Sequence, residues 1–255
     1  MASLVSVLPE ISVHPSSALW LENSRTAIVA DVHLGYSWAQ RRRGELGPLA
    51  DFRTREKLLN LLEGLRPLRI VFLGDLVHAP KPSAPERDWI EKMLLELSGR
   101  VNLIAIRGNH DRAFRHDFGH LNIELRDYWS DGLLTAVHGD RLAVATISEG
   151  GLLVSGHLHP CLGVRDASGA SQKLPVFLVS KRCIVLPAFS PFARGYEIMG
   201  GLPADLAARF GDEPIEVYAA TTTRVARLGP LQQAIERIWE TDAGAATQFR
   251  RRSAG

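Results

Sequence analysis

Thr26-Ala27-Ile28-Val29-Ala30-Asp31-Val32-His33 decides how this chain reads. Thr26 to Ala30 has the composition of a buried strand, and an aspartate and a histidine follow where such a strand would release the chain into a loop. The arrangement recurs. Arg69 to Leu73 precedes Gly74-Asp75, Val101 to Ile106 precedes Gly108-Asn109-His110-Asp111, Leu133 to Val137 precedes His138-Gly139-Asp140, and Leu152 to Ser155 precedes Gly156-His157-Leu158-His159. Any one of these stations occurs by chance in many proteins. The ordered set, rich in carboxylate and imidazole and without thiolates, describes a site for two divalent ions.

On an extended segment Asp31 and His33 would share one side and grip one ion. Asp75, a lone carboxylate in a Gly-Asp turn, suits a bridge between two ions about 3.5–4 Å apart. Asn109 adds a neutral carbonyl oxygen, and His138, His157 and His159 complete the imidazoles. The expected metal set is therefore Asp31, His33, Asp75, Asn109, His138, His157 and His159. His110 neighbours Asn109 and is expected to point elsewhere, protonating a leaving oxygen, with Asp111 fixing its tautomer; these two are the expected catalytic residues. His14, His116 and His120 read as ordinary structural or surface histidines.

A chain of 255 residues can bury a sizeable core. Because the candidate ligands run from position 31 to 159 and must converge, one domain over residues 1–240 is expected, with 241–255 a disordered tail carrying Arg250, Arg251 and Arg252. A formal charge of +2 is too small to argue nucleic-acid binding by itself. Arg41-Arg42-Arg43, with Arg53 and Arg55 downstream, reads either as a solvated charge run or as a rim that steers phosphate. Two cysteines, Cys161 and Cys183, exclude a disulfide-rich scaffold and suit a reducing cytoplasm. The N-terminus lacks the features of a secretory signal, and no apolar run is long enough to span a bilayer, so no membrane role is expected.

The wider pattern is α/β. A helix with an apolar face of Phe52, Leu59, Leu62 and Leu65 is expected to end near Gly64 and Pro67. Ser83 with Glu86 signals a capped helix that buries Trp89 or Ile90, Met93, Leu94 and Leu97. From Asn122 onward β-rich segments suggest a second sheet: Ile123 to Trp129, Leu133 to Val137, Leu152 to Ser155, Pro175 to Val179 and Cys183 to Leu186. Leu142 to Ile147 fits either a helix or a strand. Ile215 to Ala219 and Arg224 to Leu228 read as a hairpin before a helix near Leu231 to Trp239. Two facing mixed sheets with outer helices would bring loops of both sheets to one edge, where the metal site belongs. Phe177, Phe189 and Phe192 fit either the core or a dimer surface, and the oligomeric state stays open.

The stations resemble the calcineurin-like metallophosphoesterase superfamily, whose pattern is DxH, GD, GNH, H and GHxH in that order, over about positions 26 to 190. The resemblance implies a four-layer αββα sandwich. It assigns Asp31, His33, Asp75 and His159 to a first metal and Asp75, Asn109, His138 and His157 to a second, with His110 as the catalytic histidine. It implies two divalent ions, Mn(II) foremost, with Fe, Zn or Ni as alternatives. Where many members carry GDxxD, this chain reads Gly74-Asp75-Leu76-Val77-His78, so His78 is either a partner of the site or plain loop. With His138-Gly139-Asp140 and Leu186-Pro187-Ala188-Phe189-Ser190, the chain is similar to a small bacterial and archaeal branch of phosphoesterases related to DNA-repair exonucleases, including a ligase-associated DNA damage response type. The expected function is a dinuclear-metal phosphodiesterase, a nuclease in DNA repair or processing, with DNA and DNA-repair proteins as partners. The alternative is a phosphodiesterase or phosphatase for cyclic nucleotides, dinucleotides or phosphoproteins. A non-catalytic binding module is disfavoured, because none of the seven candidate ligands is missing.

Overall fold

The computed structural model describes residues 3–45, 50–141, 147–165 and 171–238. Three antiparallel strands, β1 (Val5–Leu8), β2 (Ile11–His14) and β3 (Ala18–Leu21), lead into β4 (Thr26–Ala30). From there the connections become helical crossovers. Helices α1 (Tyr36–Arg42) and α2 (Ala50–Leu65) reach β5 (Arg69–Leu73), and α3 (Ala84–Ser98) reaches β6 (Asn102–Ile106). A 3-10 turn (Asp111–Ala113) and α4 (Phe114–Phe118) then lead to β7 (Glu124–Arg126). The first sheet has the order β1-β2-β3-β4-β5-β6-β7, and its last four strands run parallel.

The second sheet contains β8 (Trp129–Asp131), β9 (Leu134–Val137), β10 (Leu152–Ser155), β11 (Pro160–Arg165), β12 (Ser171–Val179), β13 (Cys183–Val185) and β14 (Tyr196–Glu197). They lie in the order β14-β11-β12-β13-β10-β9-β8. After α5 (Ala204–Phe210), the hairpin β15 (Glu216–Ala220) and β16 (Val225–Pro230) joins through β12, and residues 231–238 form a helix. Strands β9, β10 and β13 are mutually parallel, so two sheets present C-terminal strand ends.

Strand alternation explains the layers. In β4 and β5, Ala27, Val29, Ile70 and Phe72 face a core shared with Leu58, Leu61, Ile90 and Leu94 of the helices. Their neighbours Ile28, Ala30, Val71 and Leu73 face the other way, into a core with Trp129, Val154, Phe177, Ile184 and Leu186 of the second sheet. A third core covers the outer face of the second sheet, under Leu206, Phe210 and Ala234. The result is the expected αββα sandwich. No described helix is long and apolar enough to cross a membrane.

Ser83 and Glu86 form the expected capping box at the start of α3. Other expectations need correction. Ile123 to Trp129 is not one strand of the second sheet: Glu124–Arg126 pairs with β6 in the first, and the chain crosses at Asp127-Tyr128, where Arg107 pairs with Asp127 at 2.9 Å. In α2 the buried stripe is Ala50, Thr54, Leu58, Leu61 and Leu62, and Phe52 lies off it, 55% exposed. Phe177 and Phe189 are core residues, both fully buried. The proposed tail and residues 142–146 of the ambiguous segment lie outside the described residues.

Candidate metal centre

The C-terminal ends of β4, β5, β6, β9 and β10 deliver the five stations to one edge of the sandwich. Backbone hydrogen bonds stitch them together. Asp31 N donates to Gly74 O at 3.2 Å, His33 N to Asp75 O at 2.9 Å, and Gly156 N to His138 O at 2.9 Å. The two sheets are joined where His157 N donates to Asp31 Oδ2 at 2.9 Å and Phe189 N to Ala30 O at 2.7 Å.

The loops are not extended at the candidate ligands. Asp31, His33, Asp75, His157 and His159 all have positive φ, between 46° and 64°. A left-handed backbone is uncommon for residues with a Cβ, and its clustering at one site is the mark of strain held for function. The expectation that Asp31 and His33 share a side of an extended strand is therefore corrected: kinked backbones aim them. The glycines are needed for close approach. A Cβ on Gly108 would lie 2.2 Å from Asp75 Oδ1, one on Gly74 2.1 Å from His138 Nδ1, and one on Gly156 2.7 Å from Asp31 Oδ2.

Three groups of donors result, each with its atoms within 4.8 Å of one another: Asp31, His33 and His159 form one, Asp75, His138 and His157 the second, and His33, His78 and His110 a third that shares His33 with the first. Asn109 Oδ1 stands 3.2 Å from His138 Nε2, beside the second group. The ring orientations are fixed by carbonyls, which can only accept. His138 Nδ1 donates to Leu73 O at 3.1 Å and His159 Nδ1 to Arg194 O at 2.9 Å, so in each ring Nε2 is left as the unprotonated donor. His157 Nδ1 points at His138 Nε2 from 3.1 Å.

Without a cation this arrangement is electrostatically incomplete. Asp31 Oδ1 and His159 Nε2 are buried with no hydrogen-bond partner, although they lie 3.0 Å apart. Burial and the nearby Asp31 raise the Asp75 carboxyl, opposed by His138 and by the His110 backbone N–H, which donates to Asp75 Oδ1 at 2.8 Å. At Asp31 burial alone would raise the carboxyl, but His159, His138 and His33 together hold it below its usual range. Burial pushes His33 down to about 3, against the pull of Asp31, and burial with His138 lowers His157. His159, opposed by its own burial, is raised by Asp31, the hold that a cation at this place would replace; neutral imidazole, the form favoured at His33 and His157, is the one that binds metal. The residues fit two divalent ions.

His110 lies beside the first two groups as expected. Its Nδ1 donates to His78 O at 2.6 Å, which leaves Nε2 facing the site 3.9 Å from Asp75 Oδ2. Asp111 does not touch it. The Asp111 carboxylate is buried and accepts from the backbone N–H groups of Gly108, Val77 and Leu76 at 3.0, 3.1 and 3.3 Å, clamping two stations together. The expected tautomer-fixing role of Asp111 is corrected: the carbonyl of His78 performs it. His78 itself belongs to the site, its Nδ1 3.4 Å from His33 Nδ1 and its ring stacked on His110. A cavity of about 620 Å³ opens over the centre and is lined also by Tyr36, Arg43, Phe192 and Arg194. Sequence reasoning missed Tyr36, Phe192 and Arg194, which no local motif marks.

The basic cluster divides. Arg42 pairs with the fully buried Glu86 at the head of α3, and Arg41 lies over the Trp38 ring at 5.6 Å, so of these three arginines only Arg43 lines the cavity without an ion pair among the described residues.

Comparison with known proteins agrees with this geometry. The fold matches that of the nuclease MPE of Pseudomonas putida with a TM-score of 0.66 at 22% identity, covering 89% of this chain and 100% of that one. Weaker likenesses join it to Yfce, a phosphoesterase from E. coli (TM-score 0.39, 17% identity, 76% and 86% covered), and to a predicted phosphoesterase from Streptococcus pneumoniae (0.30, 12%, 80% and 96%). A search of curated proteins finds no match. The family model for calcineurin-like phosphoesterases matches residues 24–177, a span that contains every station described above. The chain belongs to that family and is a metal-dependent phosphoesterase.

Proposed function

We propose that this protein is a two-metal phosphodiesterase that cleaves nucleic acid, single-stranded DNA foremost. One observation carries the choice of substrate: the mouth of the centre combines cations with stacked aromatic rings. Arg43 and Arg194 line it, and the Tyr36 and Phe192 rings stack with centroids 6.1 Å apart, a combination suited to a phosphate backbone with bases on it. The likeness to a nuclease supports the fold and makes nucleic acid the first substrate to test.

In this reading Asp31, His33, Asp75 and His159 hold one ion, and Asp75, Asn109, His138 and His157 the other, Mn(II) being the first candidate. When bound, the pair supplies Lewis acidity and a nucleophile at neutral pH. The chain supplies the rest. Arg43 and Arg194 hold the phosphate backbone, and the carbonyl of His78 keeps the His110 proton on Nδ1 in the neutral ring. Protonated on both nitrogens, the same ring delivers its Nε2 proton to the leaving oxygen. Two buried free cysteines support a reducing, cytoplasmic setting.

The test is a comparison of substrates on protein stripped of metal and reloaded with Mn(II), Fe, Zn or Ni. Cleavage of single-stranded DNA and of bis-p-nitrophenyl phosphate, with little turnover of p-nitrophenyl phosphate, is the expected outcome. Preference for the monoester, or hydrolysis of the small diester with no action on DNA, would replace this reading with a small-molecule phosphatase or phosphodiesterase.

A further inference from the structure

A second cavity, of about 1000 Å³, lies next to the metal centre. His159 and Ala193 line both spaces, so the wall between them is one imidazole and a short piece of loop. Its lining comes from the β2–β3 turn, α2, the β11–β12 pair, the loop 188–195 and the end of β15. Arg53, Lys57 and Lys173 contribute to it, against Glu56 as the single carboxylate among its described lining residues. Leu61, Leu65, Leu174 and Pro175 give the cavity an apolar wall beside the cations, Leu61 one turn from Lys57 on α2 and Leu174 next to Lys173 on β12.

None of these cations forms an ion pair among the described residues. Lys57 Nζ donates to Phe189 O at 2.7 Å and lies over the Phe189 ring at 4.3 Å. Burial pushes it down to about 7, with no neighbouring carboxylate to restore it. His14, which also lines the cavity, is pushed down to about 4 by burial and then by Lys57; its Nδ1 accepts from Ser16 N at 3.1 Å, and no carboxylate among the described residues pairs with either group. Lys173 Nζ donates to Gly195 O at 3.1 Å, on the loop that forms the shared wall. The Arg53 guanidinium lies 5.9 Å over the ring of Phe192, which lines the metal-centre cavity. A row of cations therefore runs from one cavity to the other. Ammonium groups met by carbonyls, the Ser17 hydroxyl at 3.5 Å and a π face, without a carboxylate, favour a phosphate, while the volume and the apolar wall exceed what phosphate alone would fill.

We propose that this cavity is a nucleoside-phosphate subsite: Lys57 and Lys173 hold a backbone phosphate adjacent to the one at the metal centre, and the apolar wall receives its sugar and base. The proposal rests on the nucleic-acid reading of the metal centre. It makes the preferred substrate a strand that continues past the scissile phosphate through His159 and Arg53, not a single nucleotide.

The experiment uses full-length protein and the variants Lys57→Met and Lys173→Ser; the second is exposed and tests the site independently of any change in the core. With no metal added, binding of a fluorescein-labelled single-stranded DNA dodecamer and of thymidine 5′-monophosphate is titrated at several salt concentrations. Each variant should weaken strand binding at least ten-fold and lower its salt dependence by about one counterion, the amount expected for one lost phosphate contact. In Mn(II)-loaded protein, kcat/KM for the strand should fall at least ten-fold more than that for bis-p-nitrophenyl phosphate. Wild-type affinity of both variants for both ligands would overturn the subsite. Should the wild-type protein bind no strand, the nuclease reading fails separately. Weakened thymidylate binding in both variants would then support the subsite with a free nucleotide as its occupant, and unchanged thymidylate binding would overturn it.

Discussion

Replacing Lys57 with methionine should make the protein more stable, an unusual outcome for a buried polar group that hydrogen-bonds. The ammonium, ordinarily near 10.5, is pushed down to about 7 by burial. In the unfolded chain it stays protonated up to its ordinary value, so between pH 7 and 10.5 the unfolded state binds more protons and wild-type stability rises with pH. At pH 7 the full linkage amounts to roughly 4 kcal/mol against folding, a ceiling from a desolvation-only view. Lys57 is only partly buried and keeps its bond to the Phe189 carbonyl, so solvent screening and that bond reduce the expected gain to about 1–2 kcal/mol. Methionine preserves most of the stem's apolar contact. For a chain of this size the gain corresponds to a rise in Tm of roughly 2–8 °C at pH 7. The check is thermal unfolding of both proteins from pH 7 to 10, where the difference should shrink to about half of its neutral value. A lower Tm in the variant, or a gain that stays constant over that range, would refute the view of Lys57 as a cation kept at a cost in stability. Stabilisation together with weaker strand binding would identify a residue retained for function.

His110→Gln should leave both ions bound and slow strand cleavage by roughly 10²–10⁴-fold, with a smaller deficit on a nitrophenyl diester whose leaving group needs little protonation; equal deficits would indicate charge stabilisation by the imidazolium instead. Asp75→Ala should abolish turnover and lower metal stoichiometry by elemental analysis, since Asp75 stands in the second donor group, and near-wild-type activity in excess metal would remove it from the ligand set. Gly108→Ala should also lose activity, because its Cβ would fall 2.2 Å from Asp75 Oδ1, and an active variant with unchanged metal content would show that the loop yields more readily than its packing suggests. Arg43→Glu should weaken strand binding and flatten its salt dependence while affecting the small diester less; an unchanged salt titration would assign Arg43 to solvated surface.

The order and residue types of the stations were legible because metal ligation restricts chemistry locally: Asp, His and Asn must recur at strand ends whatever surrounds them. The path of the chain through those stations was not. Nothing in Asp31 or His159 announces a left-handed backbone, since glycine is the residue that signals it, and here the φ values of 55° and 53° are imposed by tertiary contacts. Strands β1 to β3 escaped notice because each is only four residues long and the buried Ser12 interrupts the apolar pattern of β2. The Arg41 to Arg43 run looked like one surface, yet Arg42 is the counter-ion of Glu86, 44 residues away, a pairing that only the fold creates. Phe52 misled for the converse reason: residue type suggested burial, while its angular position on α2 put it in solvent. The second cavity draws on six separate stretches of chain and leaves no local trace.

The hydrogen bonds of the site also explain why its chemistry is specific to particular atoms. Asp31 commits its N–H to Gly74 O, its carbonyl to the N–H of Ser190 and its Oδ2 to the N–H of His157, so that only Oδ1 remains unpaired. His138 and His159 each spend Nδ1 on a carbonyl and keep Nε2, and His110 does the same toward the mouth of the centre. One polar atom of each side chain is thus structural and one is reactive. The structural contacts resist the strain of left-handed loops, which costs on the order of 1–3 kcal/mol per residue. Because His157 N binds Asp31 Oδ2 across the two sheets, closing the sandwich and orienting the carboxylate are a single event. An amide at Asp31 can keep that bond through its oxygen, but it then presents an NH2 group where Oδ1 now faces His159 Nε2. The exchange preserves the fold's contact and reverses the polarity of the donor atom, so folding and metal binding meet at Asp31 through different oxygens of the same side chain.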